Sequence, residues 1–306
     1  MRILIVGAGG VGGYFGARLA LGGHAVAVLA RGATLAALRR DGLRVRSTLE
    51  GELAAPVDAV ADARGLAPVD AVLLCVKSFD TRTAVESVRP AVAGETPVLS
   101  LQNGVDNEEI VDEVLGRGHA MGGVAYVFAT IDAPGVISHR FGGRIAFGEL
   151  DGTRTPRAKR LREAFAAAGV PAELSTEIRR LLWDKYLFIS AQAGMTALTR
   201  CPTGVLRRVP ESWRMYRAIV EELAAVARAA GVDLGADAVE RVMAAAAQLG
   251  ADNYSSLHHD LVHGKRLELE ALHGHAMRLG EKLGVPTPMV AAVYAGLKPH
   301  LDGRPA

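Results

Sequence analysis

The sequence predicts an α/β fold, a doubly wound sheet over residues 1–174 followed by an all-α domain over residues 175–306. Three observations predict it. Apolar runs of strand length alternate with helical patterns in the first half, as parallel strands buried on both faces do. A glycine-rich loop joins the first run to the first helix. Beyond about Ser175 the strand runs cease, and long helical stretches punctuated by single glycines take over.

Taken in order, residues 3–6 form a continuous apolar run and read as a buried strand. A helix follows over residues 10–21 and is stopped by Gly22-Gly23. Residues 24–30 read as a second strand and 33–40 as a helix. Residues 70–76, with the run Ala-Val-Leu-Leu-Cys-Val, form another buried strand. A helix at about 81–92 and a strand at 97–101 continue the alternation, which implies right-handed crossovers. Residues 121–129 and 135–148 are rich in Val, Ile, Phe and Gly around the turn signal Asp132-Ala133-Pro134-Gly135, and read as β-structure extending the sheet. A helix at 157–168 and a strand at 170–173 close this half. The second half offers helices at 177–198, 213–230, 236–249, 255–262, 267–283 and 289–297.

Composition excludes several classes. The net charge is +2 and the basic residues are scattered, so no nucleic-acid surface is expected. Pairs such as Arg39-Arg40 and Arg207-Arg208 read as solvated faces. No apolar stretch approaches the roughly 20 residues that span a bilayer. Residues 2–6 open directly into a strand with no charged-then-apolar leader, so the chain reads as cytoplasmic, with no membrane partner. Cys75 and Cys201 lack metal-ligand spacing, and Cys75 reads as a buried thiol. His258, His259 and His263 have helical spacing but no H-E-x-x-H pattern, so no metal is expected. Alanine-rich helix faces at 224–230 and 244–247 suit a homodimer as well as internal packing.

Gly7-Ala8-Gly9-Gly10-Val11-Gly12 matches G-x-G-x-x-G between a strand and a helix, the context of a dinucleotide site. Gly7 permits the tight turn, Gly9 lets backbone approach a pyrophosphate, and Gly12 lets helix and strand pack closely. The helix N-terminus then offers free N–H groups to the phosphates. An NAD-type site wants Asp or Glu at the end of the second strand. Here Leu29-Ala30-Arg31-Gly32 supplies an arginine instead, which suits the 2′-phosphate of NADP(H). FAD fits less well, since it too wants an acid there. Lys77 and Asn103 follow the strands at 70–76 and 97–101, at the carboxyl ends where ligands of open sheets bind. Lys77 suits a phosphate, and Asn103 suits nicotinamide or substrate.

These residues, with Cys75-Val76-Lys77-Ser78, Gln102-Asn103-Gly104, Trp183-Asp184-Lys185, Asn253-Tyr254-Ser255-Ser256 and the stretch from Gly264 to Gly274, resemble the ketopantoate reductase (2-dehydropantoate 2-reductase) family, in order over essentially the whole chain. The resemblance implies NADPH-dependent reduction of a 2-keto acid, ketopantoate to pantoate, within pantothenate biosynthesis. It implies that Lys185 is the general acid, that Asn103 orients substrate and nicotinamide, that Ser256 bonds the substrate carboxylate, and that Glu268 bonds the nicotinamide ribose near the lysine. A protonated lysine suits the task because it also stabilises the developing alkoxide.

One departure stands out. The family's reductases carry asparagines four and eight residues after the lysine, toward the substrate's hydroxyl end. Here Ile189 and Ala193 stand at those positions. A site without those polar partners should not demand a hydroxyl, which leaves a less polar 2-keto acid as an alternative. Ser190, Gln192 or Thr196 could compensate. A different 2-hydroxy-acid or opine-type dehydrogenase is a further alternative. So is an NADP(H)-binding sensor without catalysis, which the lost asparagines favour and the retained Lys185, Ser256 and Glu268 oppose.

Overall fold

The computed structural model describes residues 1–305 and divides into two compact units. The first comprises Met1–Gln102 and Asn107–Ile178; the second comprises Asn103–Asp106 and the chain from Arg179 on. The sequence reading divides the chain after residue 174. The structure divides it a few residues later and gives the short segment Asn103–Asp106 to the helical unit.

The first unit carries the strands β1 (Arg2–Val6), β2 (Ala25–Leu29), β3 (Leu43–Ser47), β4 (Gly51–Ala55), β5 (Asp58–Val60), β6 (Ala71–Leu74), β7 (Val98–Ser100), β8 (Ala120–Ala133), β9 (Val136–Gly148) and β10 (Ala172–Leu174). Its helices are α1 (Gly10–Leu21), α2 (Gly32–Asp41), α3 (Thr81–Val88), α4 (Asn107–Leu115) and α5 (Pro156–Ala167). All ten strands form one sheet in the order β4-β3-β9-β8-β7-β6-β1-β2-β5, with β10 beside β9. From β5 to β8 every pairing is parallel. The long β8–β9 hairpin is antiparallel and brings β3 and β4 onto its far side. The fold class is therefore a Rossmann-type doubly wound unit followed by a helical one.

Burial explains the winding. Along β1, Ile3 and Ile5 join Leu73, Leu99, Phe15 and Phe165 in one core, while Leu4 and Val6 join Val72, Leu74, Val85 and Val111 in another. Consecutive residues point to opposite faces, so two cores require an unbroken apolar run. Truncating one such residue, Leu73→Ala, costs about 2–5 kcal/mol. The order of the parallel strands reverses between β1 and β6, the switch point at which open sheets bind ligands.

Several elements differ from the sequence reading. β3 and β4 fall in a stretch left unassigned, although Leu43, Val45 and Ser47 are buried and Arg44 and Arg46 exposed, a period-two pattern. α4 is likewise additional. α3 stops at Val88 because Pro90 cannot continue it, and a tight 3-10 turn, Arg89–Ala91, follows. Cys75 is a free cysteine of intermediate exposure as a residue, while its thiol is buried as expected, and desolvation pushes its pKa up.

The second unit is helical: α6 (Ile178–Thr199, starting at the junction), α7 (Thr203–Arg208), α8 (Pro210–Ala229), α9 (Ala238–Ala247), α10 (Ser256–Val262), α11 (His275–Leu283) and α12 (Pro288–Leu297). α7 is additional to the sequence reading. Its core gathers Tyr186 and Leu187 with Tyr216, Leu223, Leu272 and Val293. The predicted 267–283 helix starts later than expected: Leu267 and Glu268 lie ahead of it, and a π-helical turn at Glu270–Gly274 leads into α11. Among the described residues, no helix is long and apolar enough to cross a membrane.

Candidate active site

The glycine loop lies between β1 and α1, and its glycines answer to different neighbours. Gly7 has φ +100°, and a Cβ there would lie 2.8 Å from the Cys75 carbonyl carbon and the Val76 nitrogen. The end of β6 thus leaves no room for a side chain. At Gly12 a Cβ would overlap the Gly7 carbonyl and the Cys75 Cβ, and at Gly10 the Ala129 carbonyl of β8. Ala8 and Val11 pack against the sheet core between them. Gly9 is different. Its backbone is extended at φ −79°, ψ −169°, and a Cβ would meet nothing within 4 Å. Neither strain nor internal packing accounts for glycine there; an outside group needing close backbone approach does. The loop therefore fits a dinucleotide pyrophosphate.

Arg31 caps α2 with its backbone alone, and its side chain is exposed. Lys77 is also exposed and follows β6, just ahead of the 3-10 turn Ser78–Asp80. The exit of β6 is held by a residue the sequence reading left without a role. Gln102, 6% exposed, donates from Nε2 to the Val76 carbonyl at 3.0 Å and to Thr81 Oγ1 at 2.8 Å. Its signal was available: a polar residue ending an apolar strand.

Asn103, Lys185, Ser256 and Glu268, drawn from four separate segments, all belong to the second unit. Asn103 is half-buried and precedes Gly104 at φ +108°. Its short segment is anchored by Val105 against the helical core and by Asp106, whose Oδ2 lies 3.3 Å from His275 Nδ1. The sequence reading placed Asn103 in the dinucleotide domain; these two long-range contacts carry it to the helices instead.

Lys185 is half-buried on α6. Desolvation of its ammonium pulls its pKa down to about 8, and the charge of Glu268 opposes that fall. Glu268 is 6% exposed and stands between Leu267 and Leu269, which are buried in the helical core. The Leu267 N–H bonds the Leu301 carbonyl at 2.9 Å, fixing the strip. Glu270 serves elsewhere. Burial opposes its ionisation, but hydrogen bonds from Lys298, Tyr294 and Arg278 hold its carboxyl down at about 2.

Ser256 is the exposed first residue of α10. The capping role belongs to its neighbour, since Ser255 Oγ accepts the His258 N–H at 3.0 Å. The Ser256 hydroxyl is thereby spared that duty. Ile189 is half-buried and Ala193 buried. Ser190, Gln192 and Thr196 are all buried. His263 stacks on His259 and bonds its carbonyl, and His258 stacks on Tyr254.

Comparison with known proteins gives the class. The model of the ketopantoate reductase PanE/ApbA family matches residues 3–152, and that of its C-terminal domain matches residues 177–300. The uncharacterised oxidoreductase YkpB of Bacillus subtilis is 29% identical over 97% of this chain and 98% of its own. A 2-dehydropantoate 2-reductase of Archaeoglobus fulgidus is 33% identical over 93% of this chain and 92% of its own. The structure of a PanE/ApbA family ketopantoate reductase from Ralstonia eutropha superposes with a TM-score of 0.90 at 35% identity, covering 98% of each chain. These relatives define a two-part oxidoreductase. The chain belongs to the ketopantoate reductase family.

Proposed function

We propose that this protein uses NADPH to reduce a 2-keto acid to the 2-hydroxy acid, with ketopantoate to pantoate as the first candidate reaction. One observation carries the reading. A desolvated lysine and a buried glutamate are paired electrostatically in the same unit that holds Asn103 and Ser256.

Gly7, Ala8, Gly9, Gly10, Val11 and Gly12 would hold the pyrophosphate, Arg31 the 2′-phosphate, and Lys77 a phosphate oxygen. Bound NADPH supplies the hydride. Lys185 Nζ then gives a proton to the substrate's carbonyl oxygen. A pKa of about 8 suits this, because the amine is protonated at neutral pH yet close enough to it to release the proton readily. Glu268 favours the ammonium form and would bond the nicotinamide ribose. Ser256 would donate to the substrate carboxylate, and the Asn103 amide would orient the keto group. The test is an NADPH-oxidation screen against 2-keto acids that includes ketopantoate, repeated with NADH. Oxidation by none of them defeats the proposal, and a preference for NADH defeats the role of Arg31.

A second reading concerns the substrate's side chain. On α6, Ile189 and Ala193 present apolar groups, and the polar neighbours that could compensate are buried. This supports a less polar 2-keto acid. Replacing both residues by asparagine should then raise kcat/KM for ketopantoate; an unchanged value would mean that this helix face does not read the hydroxyl.

A further inference from the structure

Ser256 can read a carboxylate only if the turn before it is fixed relative to Lys185, and the two are far apart in sequence. A cluster of buried polar side chains supplies that fixation. Gln192 and Thr196 stand seven and eleven residues after Lys185. At 3.6 residues per turn, both project within about 20° of the lysine's direction on α6.

Gln192 Nε2 donates to Thr203 Oγ1 at 2.6 Å and to Asn253 Oδ1 at 3.1 Å. The Thr203 hydroxyl and N–H both reach the Asn253 carbonyl at 3.0 Å. Thr196 Oγ1 lies 2.7 Å from both the Gln192 carbonyl and Ser255 Oγ. Its one proton serves one acceptor, and a carbonyl can only accept. The proton therefore goes to Gln192, and the Ser255 hydroxyl donates to Thr196. The lone pairs of Ser255 are left for the His258 N–H that starts α10. The turn is also close-packed, for a Cβ on Gly204 would lie 2.7 Å from the Ala251 carbonyl oxygen.

This cluster is not the cheapest way to fill a core. Gln192 is 5% exposed, and Thr196 and Thr203 are fully buried. Gln192 Oε1 has no hydrogen-bond partner among the described residues, and an unsatisfied buried acceptor is destabilising. Leucine and valine would pack the same space without it. What they could not do is fix the turn's register against the helix.

We propose that Gln192 and Thr196 are positioning residues for substrate binding. They clamp the 250–255 turn to the lysine's helix, and so set where the Ser256 hydroxyl stands relative to Lys185. This rests on the reading of Ser256 as the carboxylate ligand.

The test uses the full-length enzyme with NADPH, and ketopantoate and 3-methyl-2-oxobutanoate as probes. It compares Thr196→Val, Thr196→Ser, Gln192→Leu and Ser256→Ala. Thr196→Val, Gln192→Leu and Ser256→Ala should each raise KM for the keto acid about tenfold, the worth of one lost orienting hydrogen bond. The kcat, the NADPH affinity and the alkaline limb of the pH profile should stay put. Thr196→Ser keeps the hydroxyl and should restore KM. A lowered Tm with unchanged KM would mean that the cluster is only structural, and would overturn the clamp. If Ser256→Ala itself leaves KM unchanged, or neither keto acid is reduced by the unaltered enzyme, the underlying reading falls and the clamp with it. The two arms are probed separately, so a variant that fails to fold leaves the other to decide, with Gln192→Met as the volume-conserving reserve.

Discussion

In the first unit the candidate site is made of backbone. Gly9 leaves open space where a side chain would stand, while Gly7 and Gly12 are demanded by the Cys75–Val76 backbone and by the turn itself. In the second unit the candidate site is made of side chains: Lys185 is tuned by desolvation and opposed by Glu268, with Asn103 and Ser256 brought from distant segments. A backbone site is insensitive to most neighbouring side chains but intolerant of a Cβ. A side-chain site depends on packing, because packing sets both the position and the protonation of its groups. The two regions should therefore fail in different ways when altered.

The largest effect belongs to the side-chain site. Lys185→Ala should lower kcat about 10³-fold, the range for loss of a general acid that also stabilises charge, while NADPH binding measured by fluorescence titration stays intact. Turnover that persists would remove Lys185 from the acid's role. Next comes a side chain at the rim of the backbone site. Arg31→Ala should weaken NADPH by about 10–100-fold, as the loss of charge-assisted hydrogen bonds to a phosphate does, and leave NADH nearly untouched. Equal weakening of both would refute the 2′-phosphate assignment.

Within the loop, the two kinds of glycine can be separated. Gly7→Ala places a side chain at φ +100° against backbone atoms 2.8 Å away, so it should cost about 1–3 kcal/mol of stability and lower Tm. Gly9→Ala meets nothing. Its Tm should not move, while its affinity for NADPH drops by about tenfold, since the methyl occupies the space that backbone and pyrophosphate must share. A Gly9→Ala protein that binds NADPH normally would break the comparison at its first term.

The same contrast governs what could be read from the chain alone. The glycine loop was legible because its conformations and close approaches select one residue type; Arg31 was a candidate because a single position at a strand's end separates two ribose chemistries, and the NADH comparison decides it. The apolar runs of β1 and β6 were legible because burial on both faces forbids polar interruption. Lys185 was legible only through resemblance, since a lysine on an amphipathic helix carries no local mark of desolvation. The attachment of Asn103 to the helices was not legible: Val105 and Asp106 meet partners far along the chain. Gln192 and Thr196 could be placed on the lysine's face by spacing, but their partners at Thr203, Asn253 and Ser255 could not. The π-helical turn at Glu270–Gly274 lies within a stretch of good helix formers, and nothing local announces it.

The smallest effect is the most specific to the lysine–glutamate pair. Only protonated Lys185 can donate, so the rate of keto-acid reduction should hold below the lysine's pKa of about 8 and fall as pH rises through it. Desolvation favours the neutral amine and lowers that pKa, whereas the Glu268 carboxylate favours the ammonium and raises it. Glu268→Gln keeps the size and a hydrogen-bonding amide but removes the charge. With that supporting charge gone, the alkaline limb of the kcat profile should move to lower pH, and the acid-side plateau should be largely kept. A limb that stays in place would mean that Glu268 does not sustain the ammonium. A limb that moves to higher pH would mean that the group titrating there is not Lys185, and would reopen the assignment of the acid itself.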